Sequence, residues 1–402
     1  MSGAVDPLAL LTAYQQSAVL SAAVLSGVAD ALAEEVAGSH GPDAVGAGKT
    51  VEEVALGAGS DPRATRILLS ALVALGLATR VDGLQAGAPV DAGTRFALSE
   101  AGAPLASDHP QTLAWIVRKE WFFYGVWNEL PAAIEDGRAR IAPWRRRLDD
   151  DRATAFGFLR ALDDLAARFG GELAEAAAEL LPAPADPYED APAPGDASAP
   201  GDASAPGDAS APGDAPAPGD APAGGRPVAS GPLRLLDVGG GAGSHAARLA
   251  GLRRDVRPTV LDLPELQPLL SERHGGLPFV AGDLAAARFG RPEGERWEVV
   301  LLANILHDHP PADCARLVHE AAGLLAPGGT LLLYDWIPDA DTAAPDLPLF
   351  AVMMMVENDG GDAYSEAEHR AWLEAAGLTE IELRRGYGPI AVVAARAAAD
   401  TT

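Results

Sequence analysis

The stretch Leu233-Arg234-Leu235-Leu236-Asp237-Val238-Gly239-Gly240-Gly241-Ala242-Gly243-Ser244 decides the fold of this chain. Its first six residues read as a short apolar strand and its glycines as a turn. Ser244–Leu252 reads as a helix, and a second strand, Thr259–Leu261, ends in Asp262. Strand, glycine turn, helix, strand opens a parallel α/β sheet, whose ligands gather at the carboxyl ends of the strands. Gly239, Gly241 and Gly243 let backbone approach a ligand, and Asp262 can accept hydrogen bonds from both hydroxyls of a ribose. The spacing Gly-x-Gly-x-Gly suits a nucleoside without phosphates better than the pyrophosphate of a dinucleotide.

The same rhythm continues downstream. A third strand beginning at Phe279 ends at Gly282-Asp283-Leu284, where Asp283 is placed to take an adenine amino group, and Trp297–Leu302 is a fourth. Asn304-Ile305-Leu306-His307-Asp308-His309-Pro310 follows, then a helix, a turn at Pro327-Gly328-Gly329, and a fifth strand from Thr330 to Tyr334 that delivers Asp335. Asp237, Asp262, Asp283, His307 and Asp335 thus fall together at the strand ends.

Outward from the sheet the chain changes character. Residues 193–222 are five tandem hexamers, Ala-Pro-Gly-Asp-Ala-Ser three times and Ala-Pro-Gly-Asp-Ala-Pro twice. With Pro removing donors, Gly raising chain entropy and nothing larger than Asp to bury, the segment 183–231 is expected to be a disordered insertion. Upstream, Thr50 with Glu53 is a capping box. Asp61-Pro62 opens a second helix with Ile67, Leu68, Leu72 and Leu75 on one face until Gly76. Short extended pieces at Ala78–Val81 and Arg95–Leu98 complete a winged-helix pattern over residues 1–108. Such a unit can bind DNA. Here 57 acidic against 30 basic residues give a net charge of −27, which repels phosphodiester and anionic lipid alike. Packing or dimerisation is the reading for this region, with no nucleic-acid and no membrane partner. The uncharged run Pro7–Ala29 is interrupted by Thr12, Gln15, Gln16 and serines and is read as a helix buried against a partner. One cysteine, Cys314, permits no internal disulfide and no cysteine metal cluster, and a cytoplasmic location is expected.

Leu235–Gly243, Asp262-Leu263-Pro264, Gly282-Asp283, Leu306-His307-Asp308 and Pro327-Gly328-Gly329 together resemble the S-adenosylmethionine-dependent small-molecule O-methyltransferases of the plant caffeate and bacterial polyketide type. The resemblance implies an α/β fold. A C-terminal, Rossmann-like, seven-stranded domain over 232–398 would follow an N-terminal winged-helix dimerisation domain over 1–108, joined by connecting helices over 109–182. It implies a homodimer and a small-molecule acceptor. S-adenosylmethionine would lie against Asp237, Gly239, Gly241, Gly243, Asp262, Leu263, Asp283, Leu284 and Asn304. His307 matches the general base and Asp335 a carboxylate that orients it. Trp121, Phe123, Trp127, Phe158, Leu162, Asp308, Met353, Met354 and Asn358 match or wall an acceptor pocket.

The chain also departs from the pattern. The family often has Gly-Gly-x-Glu-Arg-Thr where Gly360-Gly361-Asp362-Ala363-Tyr364-Ser365 stands, so a second bracing carboxylate is missing at Ala363 and Asp362 is the candidate to replace it. His309 stands where a Trp usually follows His-Asp, and Asn304 where a Lys is sometimes seen. His307, Asp308 and His309 are adjacent at a strand end and do not converge on a metal ion, so no metal is expected. Three consecutive methionines, Met353–Met355, cannot all face one way on a helix, so at least one packs into the core. Two other readings stay open at this level: transfer to carbon or sulfur, or a non-methylating reaction, on the same cofactor, and a winged-helix ligand-responsive regulator.

Overall fold

The computed structural model describes residues 6–34, 48–183, 231–338, 346–386 and 388–399. The hexamer repeats, expected to be disordered, lie outside the described residues.

The N-terminal region is mostly helical. Helices Pro7–Thr12, Tyr14–Leu25, Val28–Ala33, Val51–Ala58 and Pro62–Ala74 surround three short strands, β1 (Lys49–Thr50), β2 (Ala78–Arg80) and β3 (Arg95–Leu98), antiparallel in the order β1-β3-β2. Both helix starts foreseen above form. Thr50 Oγ1 accepts from Glu53 N at 3.2 Å while Glu53 Oε2 accepts from Thr50 N at 2.7 Å, and Asp61 Oδ1 accepts from Ala64 N at 2.8 Å. The buried face of Pro62–Ala74 is Thr65, Leu69 and Leu72, whereas Ile67 is exposed. A step of five from Ile67 to Leu72 turns through 500°, so those two side chains stand about 140° apart, while Thr65, Leu69 and Leu72 follow the helical i, i+4, i+7 pattern. Pro7–Leu25 has the length and mean hydropathy, 1.4, of a membrane span. Its second half nevertheless packs Ser21, Ala23 and Val24 inside the domain, while Leu8, Leu10 and Leu11 of its first half are exposed.

The C-terminal sheet has seven strands: β4 (Leu233–Val238), β5 (Val256–Asp262), β6 (Phe279–Ala281), β7 (Trp297–Ala303), β8 (Leu325–Trp336), β9 (Thr379–Arg385) and β10 (Ile390–Arg396), in the order β6-β5-β4-β7-β8-β10-β9. β4 to β8 pair in parallel, and β10 is antiparallel to both β8 and β9. Strand order reverses between β4 and β7, which is where such sheets open a ligand crevice. The registers set Asp237 beside Val260 on one side and Leu301 on the other, and Ala303 beside Tyr334, so the chemistry-bearing residues share one rim.

Central strands buried on both faces explain the near-continuous apolar runs. Leu236, Val238, Val300, Leu302, Leu331 and Leu333 pack with Leu317 and Val318 of the helix Pro311–Ala322. On the opposite face Leu235, Val299, Leu301 and Leu332 meet Leu173, Ala177 and Leu180 of the 29-residue helix Arg152–Leu180. That helix therefore enters as a connecting element and ends as a layer of the sheet domain. Pro327-Gly328-Gly329, expected as a turn, lies inside β8: Trp297 faces Leu325 and Val299 faces Thr330, so Ala326–Gly329 bulges, with Gly328 at φ +72°.

Candidate active site

The glycine turn is built around two carboxylates. Gly239, Gly241 and Gly243 take φ of +72°, +53° and +84°, which L side chains rarely adopt. Gly240, absent from the glycines singled out above, is required for another reason. A Cβ there would stand 2.5 Å from Asp237 Oδ2. Asp262 Oδ2 accepts from Gly241 N at 2.8 Å and its Oδ1 from Leu263 N at 2.7 Å, tying the turn to the tip of β5. Asp237 is buried, and its Oδ1 has no hydrogen-bond partner. Burial, then the charge of Asp262, push its carboxyl up to about 7, and burial pushes Asp262 up to about 6. Asp237, buried, and Asp262, half-buried, lie together at the glycine turn, and among the described residues neither forms an ion pair with a cation, which favours a ligand carrying positive charge.

His307 lies in a short turn of helix, Leu306–Asp308, just after β7. Its Nδ1 is 2.6 Å from Asp335 Oδ1 on β8, and both residues are buried. Because Asp335 can only accept, Nδ1 carries the proton and Nε2 is the free nitrogen. Asp308 Oδ1 lies 3.6 Å from Nε2 and accepts from Asn358 Nδ2 at 2.7 Å. Burial opposes the charged ring, yet Asp335 and then Asp308 outweigh it and raise His307 to about 9. The edge-to-face neighbour of the His307 ring is Phe350, 5.0 Å away at 88°, itself stacked on Trp336 at 4.1 Å.

Asp362 does not brace the ring. Its side chain is exposed and accepts from Ala363 N at 2.7 Å, and only its backbone N reaches His307, donating to the carbonyl at 3.0 Å. A carboxylate one methylene from the backbone in a tight loop is captured locally before it can reach across. Asp283 is likewise engaged by protein: Arg145 pairs with Oδ2, and Ala285 N donates to Oδ1 at 3.0 Å. Leu284 lies beside the turn, 3.5 Å from where a Gly239 side chain would begin. Leu263 is buried with Leu148 and Ala155. Asn304, at φ +56°, donates through its backbone N to Tyr334 O and meets His245 Nε2 at 3.2 Å through Nδ2.

The acceptor-pocket candidates separate. Phe123 is buried and packs on Phe158, which also meets Trp144. Trp121, two residues earlier on the helix Ala114–Val126, faces away and stacks on Tyr124 at 5.2 Å. A spacing of two on a helix turns a side chain by 200°, so the two could not share a wall. Trp127 is half-buried in the following short helix, and Leu162 is 39% exposed. Met354 packs into the core and Met353 is half-buried. Missed residues include Phe350, one helical turn before Met353 and Met354, and Glu357, one turn after them. A helix drawn over Asp346–Glu357 would have signalled both. A cleft of about 470 Å³ lies apart from His307, between Asp163 and Ser244, Arg273 and His274. These four are paired with one another, which accounts for its polar walls without a ligand.

Residues 230–379 match the family model for an O-methyltransferase domain. Over 163 residues, 40% of this chain, the sequence is 33% identical to 3-hydroxy-5-methyl-1-naphthoate 3-O-methyltransferase of Streptomyces sahachiroi, and the match spans about half of that relative, 47%. Over 85% of the chain it is 26% identical to acetylserotonin O-methyltransferase of Mus musculus molossinus, covering 79% of that protein. In fold it is similar to human N-acetylserotonin methyltransferase, solved in complex with SAM, with a TM-score of 0.71 at 19% identity over 99% of this chain and 100% of that one.

Proposed function

We propose that the chain, whose residues 230–379 match the family model for an O-methyltransferase domain, transfers a methyl group from S-adenosylmethionine to a hydroxyl of a small aromatic or polyketide-like molecule, with His307 as the general base. The observation that carries this reading is the pair Asp237 and Asp262 under the glycine turn, two carboxylates that no cation among the described residues neutralises and that suit an ammonium and sulfonium ligand. The Gly239–Gly243 backbone would hold the methionine part, Asp262 the ribose, and Leu263, Leu284 and Asn304 the remaining flank. Asp283 would serve the adenine only by sharing its carboxylate with Arg145.

S-adenosylmethionine supplies a methyl already activated by positive sulfur, so the protein's task is to align and deprotonate the acceptor. Asp335 holds Nδ1 protonated, which leaves Nε2 as the proton acceptor. Raised to about 9, the ring is close to a phenol of pKa near 10, so the proton moves with little uphill cost. The same elevation keeps His307 mostly protonated in the ligand-free protein at neutral pH. Activity is therefore expected to climb with pH toward about 9. Asp308 borders the same nitrogen and is held by Asn358, and the two would orient the acceptor hydroxyl. The named relative acts on a hydroxynaphthoate, which supports a flat aromatic acceptor.

The test is incubation with S-adenosylmethionine and a panel of hydroxyarenes, followed by mass spectrometry for the gain of one methyl on oxygen. His307→Gln is expected to lower turnover by about 10²–10⁴ while cofactor binding by calorimetry persists. Turnover retained in that variant would remove the base from the mechanism. Methylation at carbon or sulfur would redirect the acceptor class, and failure to bind the cofactor would sink the reading.

A further inference from the structure

We infer that Asp163 is a positioning residue for the cofactor: from the long helix Arg152–Leu180 it ties the start of the helix Ser244–Leu252, and with it the glycine turn, to the end of the helix Gln267–His274 that follows Asp262. The inference rests on the cofactor placement proposed above and concerns how the two halves of that site are held together.

The turn has little with which to hold itself. Gly239, Gly240, Gly241 and Gly243 make up all of it but Ala242, and such a segment samples many conformations unless its surroundings fix one. Gly243 stands at the N-cap of the helix Ser244–Leu252 and has no side chain to accept from the first helical amides. On one flank Asp262 accepts from Gly241 N at 2.8 Å. On the other flank the tie comes from a separate helix, because Ser244 Oγ donates to Asp163 Oδ1. Leu159, one turn before Asp163, lies 3.7 Å from where a Gly241 side chain would begin. Ala167, one turn after it, accepts through its carbonyl from Arg248 Nη2 at 2.7 Å.

Asp163 also reaches the second half of the site. Arg273 Nε donates to its Oδ2, and His274 Nε2 lies 3.0 Å from its Oδ1, both from the last turn of Gln267–His274. That helix runs on from the short turn Pro264–Leu266 behind Asp262 and Leu263. One carboxylate therefore joins the segment that would hold the methionine part to the segment that would hold the ribose. Asp163 is 5% exposed, on a helix face otherwise made of Leu159, Ala166 and Gly170. Burial pushes its carboxyl up, yet donors from His274, Ser244 and Arg273 outweigh that and hold it down at about 2, so it stays ionised at neutral pH. A buried ion pair adds little stability over well-packed apolar side chains. What this one contributes is geometry: it selects the conformation of the turn before the cofactor arrives. When only a fraction of molecules hold a competent turn, apparent affinity falls by that fraction.

The experiment pairs hydrogen exchange of the ligand-free full-length protein with calorimetry of S-adenosylmethionine binding. Ser244→Ala removes one bond and leaves Asp163 its other partners. It is expected to speed amide exchange across residues 239–248 by about three- to tenfold, to leave exchange in the helix Pro62–Ala74 unchanged, and to weaken cofactor binding by a similar factor. KM for S-adenosylmethionine should rise with it while KM for the hydroxyarene holds. Asp163→Ala is expected to weaken binding by about tenfold or more. Adding Ser244→Ala to that variant should weaken it by less than about twofold further, since the two residues act through one bond. Wild-type exchange and affinity in Ser244→Ala overturn the inference, as does a Ser244→Ala effect that persists in full on the Asp163→Ala background. Exchange that quickens equally in Pro62–Ala74 shows general destabilisation and overturns it too. If Asp163→Ala does not fold, Ser244→Ala decides. Failure of the wild-type protein to bind S-adenosylmethionine would count against the proposed function, while exchange of the ligand-free turn still decides whether Asp163 and Ser244 hold it.

Discussion

Asp237 illustrates how a single side chain is held in a state that folding alone disfavours. Its Oδ1 is buried without a partner, and burial followed by Asp262 raises its carboxyl from 3.8 to about 7. A folded-state value above the unfolded one means that the native protein binds this proton more tightly. The associated stability is complete below pH about 4 and is lost as pH rises through about 7. Asp237→Asn removes the titration, while Asp262 keeps the part of its own shift that comes from burial. The variant is expected to melt at higher temperature than wild type at about pH 8 and to bind S-adenosylmethionine more weakly, measured by thermal unfolding across pH and by calorimetry. Equal pH dependence of melting in the two proteins would show that Asp237 is not strained by its charge. Such residues are legible in sequence to different degrees. Glycines at positive φ and an acid at a strand tip announce themselves because local backbone geometry demands them. Asp362 and Asp163 do not, because what each reaches depends on how a loop and a long helix dock on elements far along the chain.

The short helix Trp144–Asp150 joins the two sides of the site. Arg145 reaches Asp283 beyond β6, Leu148 packs with Leu263 beyond β5, and Arg147 Nη1 donates to Glu357 Oε1 at 2.8 Å at the end of the methionine helix. The Arg147 and Glu357 side chains are 12% and 7% exposed, so this is a buried pair. Removing one partner leaves an uncompensated charge, and Arg147→Met is expected to cost about 3–5 kcal/mol in urea unfolding, with the double variant Arg147→Met/Glu357→Leu recovering most of it. A cost below about 1 kcal/mol would place the pair with exposed bridges that contribute little. Nothing in the connecting helices expected over residues 109–182 announces this strap. The run Trp144-Arg145-Arg146-Arg147 looks like an ordinary solvated basic turn until its partners, more than a hundred residues away, are brought beside it.

At the scale of the whole molecule, five strands of the sheet are readable because they alternate with helices at spacings that admit few topologies, while the count of seven comes from the family resemblance; the exposed apolar surface of the N-terminal region is not readable, since a helix pattern does not say which side another chain covers. Leu8, Leu10 and Leu11 are 68%, 65% and 71% exposed, and Tyr14 lies 6.3 Å from Tyr124, which stacks on Trp121. An apolar surface of that kind on a chain of net charge −27 needs cover, because the charge that keeps copies apart in bulk does not hydrate leucine. The homodimer that the family resemblance implies would supply the cover: a second copy laid against the same face would bury both patches by two-fold symmetry. Analytical ultracentrifugation is then expected to report twice the chain mass of 41.2 kDa. Leu10→Glu/Leu11→Glu is expected to return the protein to the monomer mass with its fold intact by circular dichroism. Added salt should tighten the wild-type dimer, since screening at about 8–10 Å weakens the repulsion between like-charged chains and leaves the apolar contact untouched. A wild-type protein that sediments at 41.2 kDa throughout, or a variant that stays dimeric, would move the interface away from this face.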